Sequence, residues 1–292
     1  MPSPRRPASG LAGLVADHVR LIVAIPLAVA IAVFLRGAWR LRRCTRPGIG
    51  AGRLIAAATA FTALGVALSQ SLHVAAHALF AAHMVQHLLL VSIAAPALLL
   101  ADPCAVALWG LPGRARRATG HLLTRGRWPR RALTVATRMA LTWPAYVLVL
   151  WLWHLPGPYE AALRSGPLHD LEHALFFGAA LLFWWPVLAP GPRLAPLPHP
   201  ALRVAYLVLG ALQSAALGLL LSSRPEPLYA SYAATAPAWG LTGAEDQALG
   251  GMLMWTVGAL MDMAAVLLVL WRVLSAPAFL DRSPPMRDNL KA

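Results

Sequence analysis

The sequence predicts an all-α membrane protein of seven transmembrane helices, with the N-terminus outside and the C-terminus in the cytoplasm. Three observations carry this reading: the composition, the spacing of apolar runs and the placement of Lys and Arg. Of 292 residues, 59% are hydrophobic and only 12% are charged, against roughly a quarter charged in soluble domains. Seven runs approach the ~20 residues needed to cross about 30 Å of hydrocarbon, near 19–38, 54–72, 84–101, 133–153, 170–189, 203–222 and 250–271. A segment crossing lipid alone must satisfy its own backbone hydrogen bonds, so each run reads as a helix.

The first run is followed by Arg36, Arg40, Arg42, Arg43, Arg46 and Arg53, which belong on the cytoplasmic side. Arg5 and Arg6 ahead of an apolar run resemble a signal-peptide layout, but that orientation would export those six arginines. The second run therefore leads outward and the third returns. A continuous helix from 54 to 101 would reach roughly 72 Å, more than twice the hydrocarbon thickness. The chain must turn, and 73–83, mostly Ala, Leu and His, reads as a short interfacial helix. Before and into the fourth run come Arg114, Arg116, Arg117, Arg125, Arg127, Arg130, Arg131 and Arg138, read as a cytoplasmic connector with an interfacial helix.

The fifth run follows the outer segment "GPYEAALRSGPLHDLEH" (157–173), and the sixth follows Arg193 and Arg203. The seventh follows "RPEPLYASYAATAPAWGLTGAEDQALGG" (224–251) and ends before Arg272, Arg282, Arg287 and Lys291. Tyr and Trp in these outer segments suit the membrane interface. Only Arg5, Arg6, Arg20, Arg164 and Arg224 of the 25 Lys and Arg fall outside. The net charge of +14 is then a basic cytoplasmic face for anionic lipid headgroups and calls for no nucleic acid. The chain reads as one membrane domain, 19–274, between Pro-, Ser- and Arg-containing tails at 1–18 and 275–292. Cys44 and Cys104, both at cytoplasmic ends, read as small residues near helix termini, not as a disulfide.

The polar residues that chemistry could use gather at the outer boundary. His83 and His87 stand one helical turn apart at the start of the third run, about 40° apart around the axis. His169 and His173 repeat that spacing at the start of the fifth, and His154 ends the fourth at the same level. Four imidazoles at matched depth can converge on one metal ion. Met84, Met252 and Met254 lie close by, and His with Met suits copper better than magnesium or calcium. Glu172 and Asp170, and Asp246 and Gln247 at the top of the seventh run, are candidate acceptors that would fix the imidazole tautomers. His73 and His77 read as the polar face of the interfacial helix, with a first landing point for the ion as the alternative. Asp262 and Gln213, inside runs seven and six, read first as packing residues. There is no H-E-x-x-H, G-x-S-x-G or phosphate loop, so the chain is not expected to be an enzyme.

Four stretches, "AHMVQHLLLVSIAAPALLLADP" (82–103), "WLWHLPGPYEAAL" (151–163), "LHDLEHALFFGAALLFWWPVL" (168–188) and "EDQALGGMLMW" (245–255), resemble signature blocks of the CtaG family of multi-spanning cytochrome c oxidase assembly factors. The resemblance implies a bacterial plasma-membrane protein that helps mature a haem-copper oxidase, with an oxidase subunit as partner and copper as cargo. His83, Met84 and His87 match the first block, His154 the second, His169, Glu172 and His173 the third. Asp246, Gln247, Met254 and Trp255 match the fourth. The expected mechanism is ligand exchange: His83, His87, His169 and His173, with Met84 or Met254, hold copper until the partner's ligands displace them. The alternatives are a haem protein with axial ligands such as His87 and His173, a copper transporter using Asp262 and Gln213, and a scaffold for oxidase subunits.

Overall fold

A computed structural model describes residues 11–44, 49–122, 124, 126–191 and 194–275. Among them the chain is helical, with no strand: α1 Leu11–Cys44, α2 Ala51–Ala67, α3 Gln70–Ala78, α4 Phe80–Leu88, α5 Ala95–Leu100, α6 Pro103–Gly110, α7 Gly113–Leu122, α8 Trp128–Ala136, α9 Met139–Trp153, α10 Pro156–Arg164, α11 Gly166–Leu188, α12 Pro200–Ser222, α13 Ala230–Thr235 and α14 Gly243–Leu274. A π-helical turn, Leu89–Ala94, joins α4 to α5, so that Phe80–Leu100 runs as one 21-residue rod. That rod, α11, α12 and α14 are each long and apolar enough to cross a membrane, and two bent pairs raise the number of candidate spans to six. Large apolar side chains on their outer faces, among them Leu209, Leu212, Leu260 and Leu267, are exposed as lipid-facing positions should be.

Most apolar runs reappear as helices, with three differences at their edges. The run at 133–153 is not one straight span: α8 and α9 meet at 63° around Thr137 and Arg138. The Thr137 hydroxyl donates back to the Leu133 carbonyl at 2.8 Å, a side-chain bond that competes with the helical ladder at the break. The seventh run starts earlier than its hydrophobicity suggests, because Thr242 and Glu245 close a reciprocal capping box that opens α14 at Gly243. At the other terminus α1 begins at Leu11, inside the stretch read as a tail, while residues 1–10 and 276–292 lie outside the described residues. The turn required between runs two and three is present. α3 leaves α2 at 52°, and extended Leu79 then reverses the chain into α4.

Two aromatic-rich cores fill the bundle, one around Phe183, Trp184 and Tyr206, the other around Phe80, Tyr159, Phe176, Tyr229 and Tyr232 at the histidine end. Near the opposite end Asp102, in the left-handed conformation that Asp tolerates, pairs with Arg53 at 3.3 Å and accepts the Gly191 N–H at 3.0 Å. Arg40 donates to the carbonyls of Trp109 and Leu111 there, and Cys44 and Cys104 are free thiols.

α12 and α14 touch backbone to backbone. A methyl on Gly218 would stand 2.7 Å from the Gly251 carbonyl oxygen, and one on Gly251 would stand 2.6 Å from that of Gly218. Small residues permit this approach where lipid supplies no hydrophobic drive between helices. Gly218→Val is expected to force the pair apart and destabilise the fold by about 1–3 kcal/mol, read as a lower thermal-unfolding midpoint. Gly178→Ala, whose added carbon meets nothing within 4 Å, should leave that midpoint unchanged or slightly raised.

Candidate metal centre

Four helices bring the histidines together, and a fifth fixes the register of one of them. α4 opens with no cap of its own, since Leu79 has no side-chain acceptor. Asp246 of α14 supplies one: its carboxylate accepts the N–H of Phe80 at 2.6 Å and of Ala81 at 3.0 Å. One turn further on, His83 and His87 point into the bundle and are buried. On α11 the inward face carries His169, Glu172, His173 and Phe176, the i, i+3, i+4, i+7 stripe of a helix packed on one side. His154 closes α9 and is 4% exposed, and α3 brings half-buried His73 and His77 against His169.

The side chains converge as the matched depth predicts. The His83 ring lies 4.4 Å from that of His87, 5.1 Å from His169 and 5.7 Å from His173 between centroids; His169 and His173 are 4.2 Å apart and His87 and His173 5.3 Å. The Nε2 atoms of His83 and His87 face each other at 3.0 Å, near the roughly 3.3 Å edge of a tetrahedral site with ~2.0 Å metal–nitrogen bonds. Glu172, fully buried, sets one oxygen 3.6 Å from His87 Nε2 and the other 3.8 Å from His83 Nε2. Among the described residues, three groups have potential ligand atoms within 4.8 Å of one another: His83, His87 and Glu172; His83, His169 and His173; and His73, His77 and His169.

Neither Glu172 oxygen has a hydrogen-bond partner, nor do Nε2 of His169, His173 and His154 or Nδ1 of His87. Buried polar atoms in proteins are almost always paired, so orphans gathered in one place mark a site built for something else. Nitrogen-rich with one carboxylate, this donor set fits copper or zinc and not magnesium or calcium.

Aromatic residues of the outer segments orient these histidines. The Tyr159 and Tyr232 hydroxyls both sit 2.9 Å from His83 Nδ1, and Tyr232 donates to the Ala76 carbonyl at 2.8 Å. With that proton committed, the Tyr232 oxygen accepts, and His83 is favoured as the Nδ1–H tautomer with its Nε2 lone pair turned to Glu172 and His87. Burial pushes both phenols well above their ordinary range, so they stay protonated at neutral pH. His154 Nδ1 donates to the Leu150 carbonyl at 2.7 Å, which leaves its Nε2 as the acceptor. Tyr229 donates to the His154 carbonyl, and Ser231 bonds Glu160 through its N–H and hydroxyl, holding the segment that carries Tyr232.

The other anticipated residues are placed as follows. Met84 and Met254 are buried and, with His87 and His154, line a cavity of ≈ 50 Å³ that reaches Tyr146, Ser214 and Asp262. Met252 and Asp170 are exposed. Asp246 and Gln247 touch no imidazole: Asp246 caps α4, and Gln247 accepts the Leu228 N–H at 2.6 Å and donates to the Leu221 carbonyl at 3.0 Å. Their side chains are spent on backbone groups that helix ends leave unpaired. Glu172, expected as an acceptor behind the histidines, stands beside their ring nitrogens and joins one candidate ligand group, because i+3 from His169 places it on the same face.

Compared with known proteins, residues 32–276 match a family model described as cytochrome c oxidase caa3 assembly factor (Caa3_CtaG). No curated protein and no solved structure matches.

Proposed function

Since the chain belongs to the cytochrome c oxidase caa3 assembly factor family, we propose that it binds copper among His83, His87, His169, His173 and Glu172 and passes it to an oxidase subunit. One observation carries the reading: the buried His83/His87 pair faces the Glu172 carboxylate and packs against a second buried pair, His169/His173, and orphaned nitrogens and oxygens gather at that place. His154 stands 6.2 Å from His87 between ring centroids and is the adjoining donor. Met84 and Met254, on the cavity beside His87 and His154, offer thioethers that favour Cu(I).

In the topology we propose, α1 and the two bent pairs join the four long helices to make seven crossings of the bacterial plasma membrane. The excess of Arg around α6 to α8 faces the cytoplasm, the N-terminus and the histidine end face outward, and the C-terminus lies inside. Copper held on that face is within reach of an oxidase subunit exposed there. Transfer needs only ligand exchange, with the partner's donors replacing imidazoles one at a time, so the role is that of a chaperone and not of an enzyme. Haem is disfavoured as cargo, since the rings of His87, His169 and His173 all lie within 6 Å of that of His83 and leave no slot for a macrocycle, and the adjoining cavity of ≈ 50 Å³ is far below the roughly 300–1,000 Å³ of ordinary ligand pockets.

Metal analysis of the purified protein tests the reading. Wild-type chain is expected to carry copper, and a His87→Ala, His173→Ala variant of equal thermal stability to carry markedly less. A Soret band without copper, or copper retained in full by the variant, would overturn the assignment.

A further inference from the structure

The three ligand groups overlap in a particular way. His83, His87 and Glu172 share no member with His73, His77 and His169, so an inner and an outer triad are separate sets of donors. The third group, His83, His169 and His173, borrows one residue from each and adds one of its own. Exposure separates the outer pair from the rest: His73 and His77 are half-buried, whereas His83, His87, His169, Glu172 and His173 are all buried, none more than 7% exposed. The ring of His169 lies 5.3 Å from His73, 5.2 Å from His77, 4.2 Å from His173 and 5.1 Å from His83, so one imidazole touches both triads. Its Nε2 is buried and without a hydrogen-bond partner.

We infer that His73, His77 and His169 form a second copper site at the mouth of the inner one, and that the His83, His169, His173 group is the transit position between them. This rests on the copper reading above and adds to it a capacity of two ions and a route. An ion moving inward keeps His169 while exchanging His73 and His77 for His83 and His173. It then keeps His83 while exchanging the other two for His87 and Glu172. Copper is never without a protein ligand, no electron moves, and each step breaks two dative bonds as two form. The Glu172 carboxylate offsets charge at the inner position and limits repulsion when both sites are filled. The same ladder run outward brings copper to the half-exposed triad, where a partner's ligands can reach it.

Full-length protein in detergent, titrated with Cu(I) against a competing chelator, tests this. Wild type is expected to bind close to two ions per chain, and His73→Gln, His77→Gln close to one, with both loading and removal by external chelator slowed at the remaining site. A parallel His87→Ala variant should lose the other ion. Thermal-unfolding midpoints of all three proteins identify any loss that comes from misfolding, and His77→Ala alone serves where the Gln pair unfolds. A His73, His77 variant that binds two ions at wild-type rates overturns the outer site and leaves the inner one standing. Wild-type protein that binds one ion, lost only on changing His87, does the same. Wild-type protein that binds none overturns the copper reading itself, and the outer site with it.

Discussion

Cells whose only copy of this protein carries His83→Ala and His87→Ala are expected to lose active haem-copper oxidase while retaining the protein in their membranes. His83 belongs to both buried ligand groups, and His87 to the deeper of them, so the double change leaves no complete buried triad. Even residues that merely orient a ligand are each worth ~10–100-fold in metal affinity; deleting two donors should exceed that. Oxidase activity and oxidase copper content in isolated membranes, normalised to immunodetected protein, give the readout. The control is His121→Ala, an exposed histidine that accepts from Arg127 at 2.8 Å far from the cluster and should assemble oxidase normally. Excess copper in the medium should restore part of the activity, because weak loading is overcome by mass action. A pure scaffold predicts the opposite on both counts: normal oxidase in the double variant, and no response to copper.

Asp246→Ala should be the most damaging single change outside the ligands. It strips two acceptor bonds from the start of α4 and leaves the amides of Phe80 and Ala81 without partners inside the protein. At ~1–3 kcal/mol per buried unsatisfied donor, a drop in stability of about 2–6 kcal/mol follows. Because α4 carries His83 and His87, copper affinity should fall with it. Asp246→Asn keeps one acceptor oxygen and should recover a large part of both. The pair is read by thermal unfolding and by copper competition; an alanine variant with wild-type values in both would show that the cap does not set the position of the histidine helix.

Two histidine pairs were legible in the sequence because an i, i+4 spacing survives folding: it needs only a helix, and the apolar run supplied that. Their matched depth followed from where each run began. Glu172 could have been read as a ligand by the same wheel, since residues 169, 172, 173 and 176 form one stripe; adjacency to His173 in the chain suggested a supporting role instead. Tyr159 and Tyr232 were not legible as partners of His83, from which they are separated by 76 and 149 residues, and nothing local marks such contacts. Their interface-like surroundings pointed elsewhere. Nor could hydropathy place the start of α14, which depends on a polar capping box ahead of the apolar run, or the bend at Thr137, where the run continues and the backbone does not.

The long reach of Asp246 and Tyr232 bears on the order in which the molecule comes into being. A nascent chain exposes both histidine pairs, and Tyr159 with them, once residue 173 has left the ribosome, yet Tyr232 and Asp246 arrive only with α13 and the start of α14. Until then α4 has no cap and its first imidazole lacks the Tyr232 oxygen that accepts from Nδ1–H. On the copper reading proposed above, tight, correctly shaped coordination is therefore expected of the finished protein alone. Unfinished chains, and chains released early, hold only loosely disposed imidazoles and are poor traps for a scarce and toxic metal.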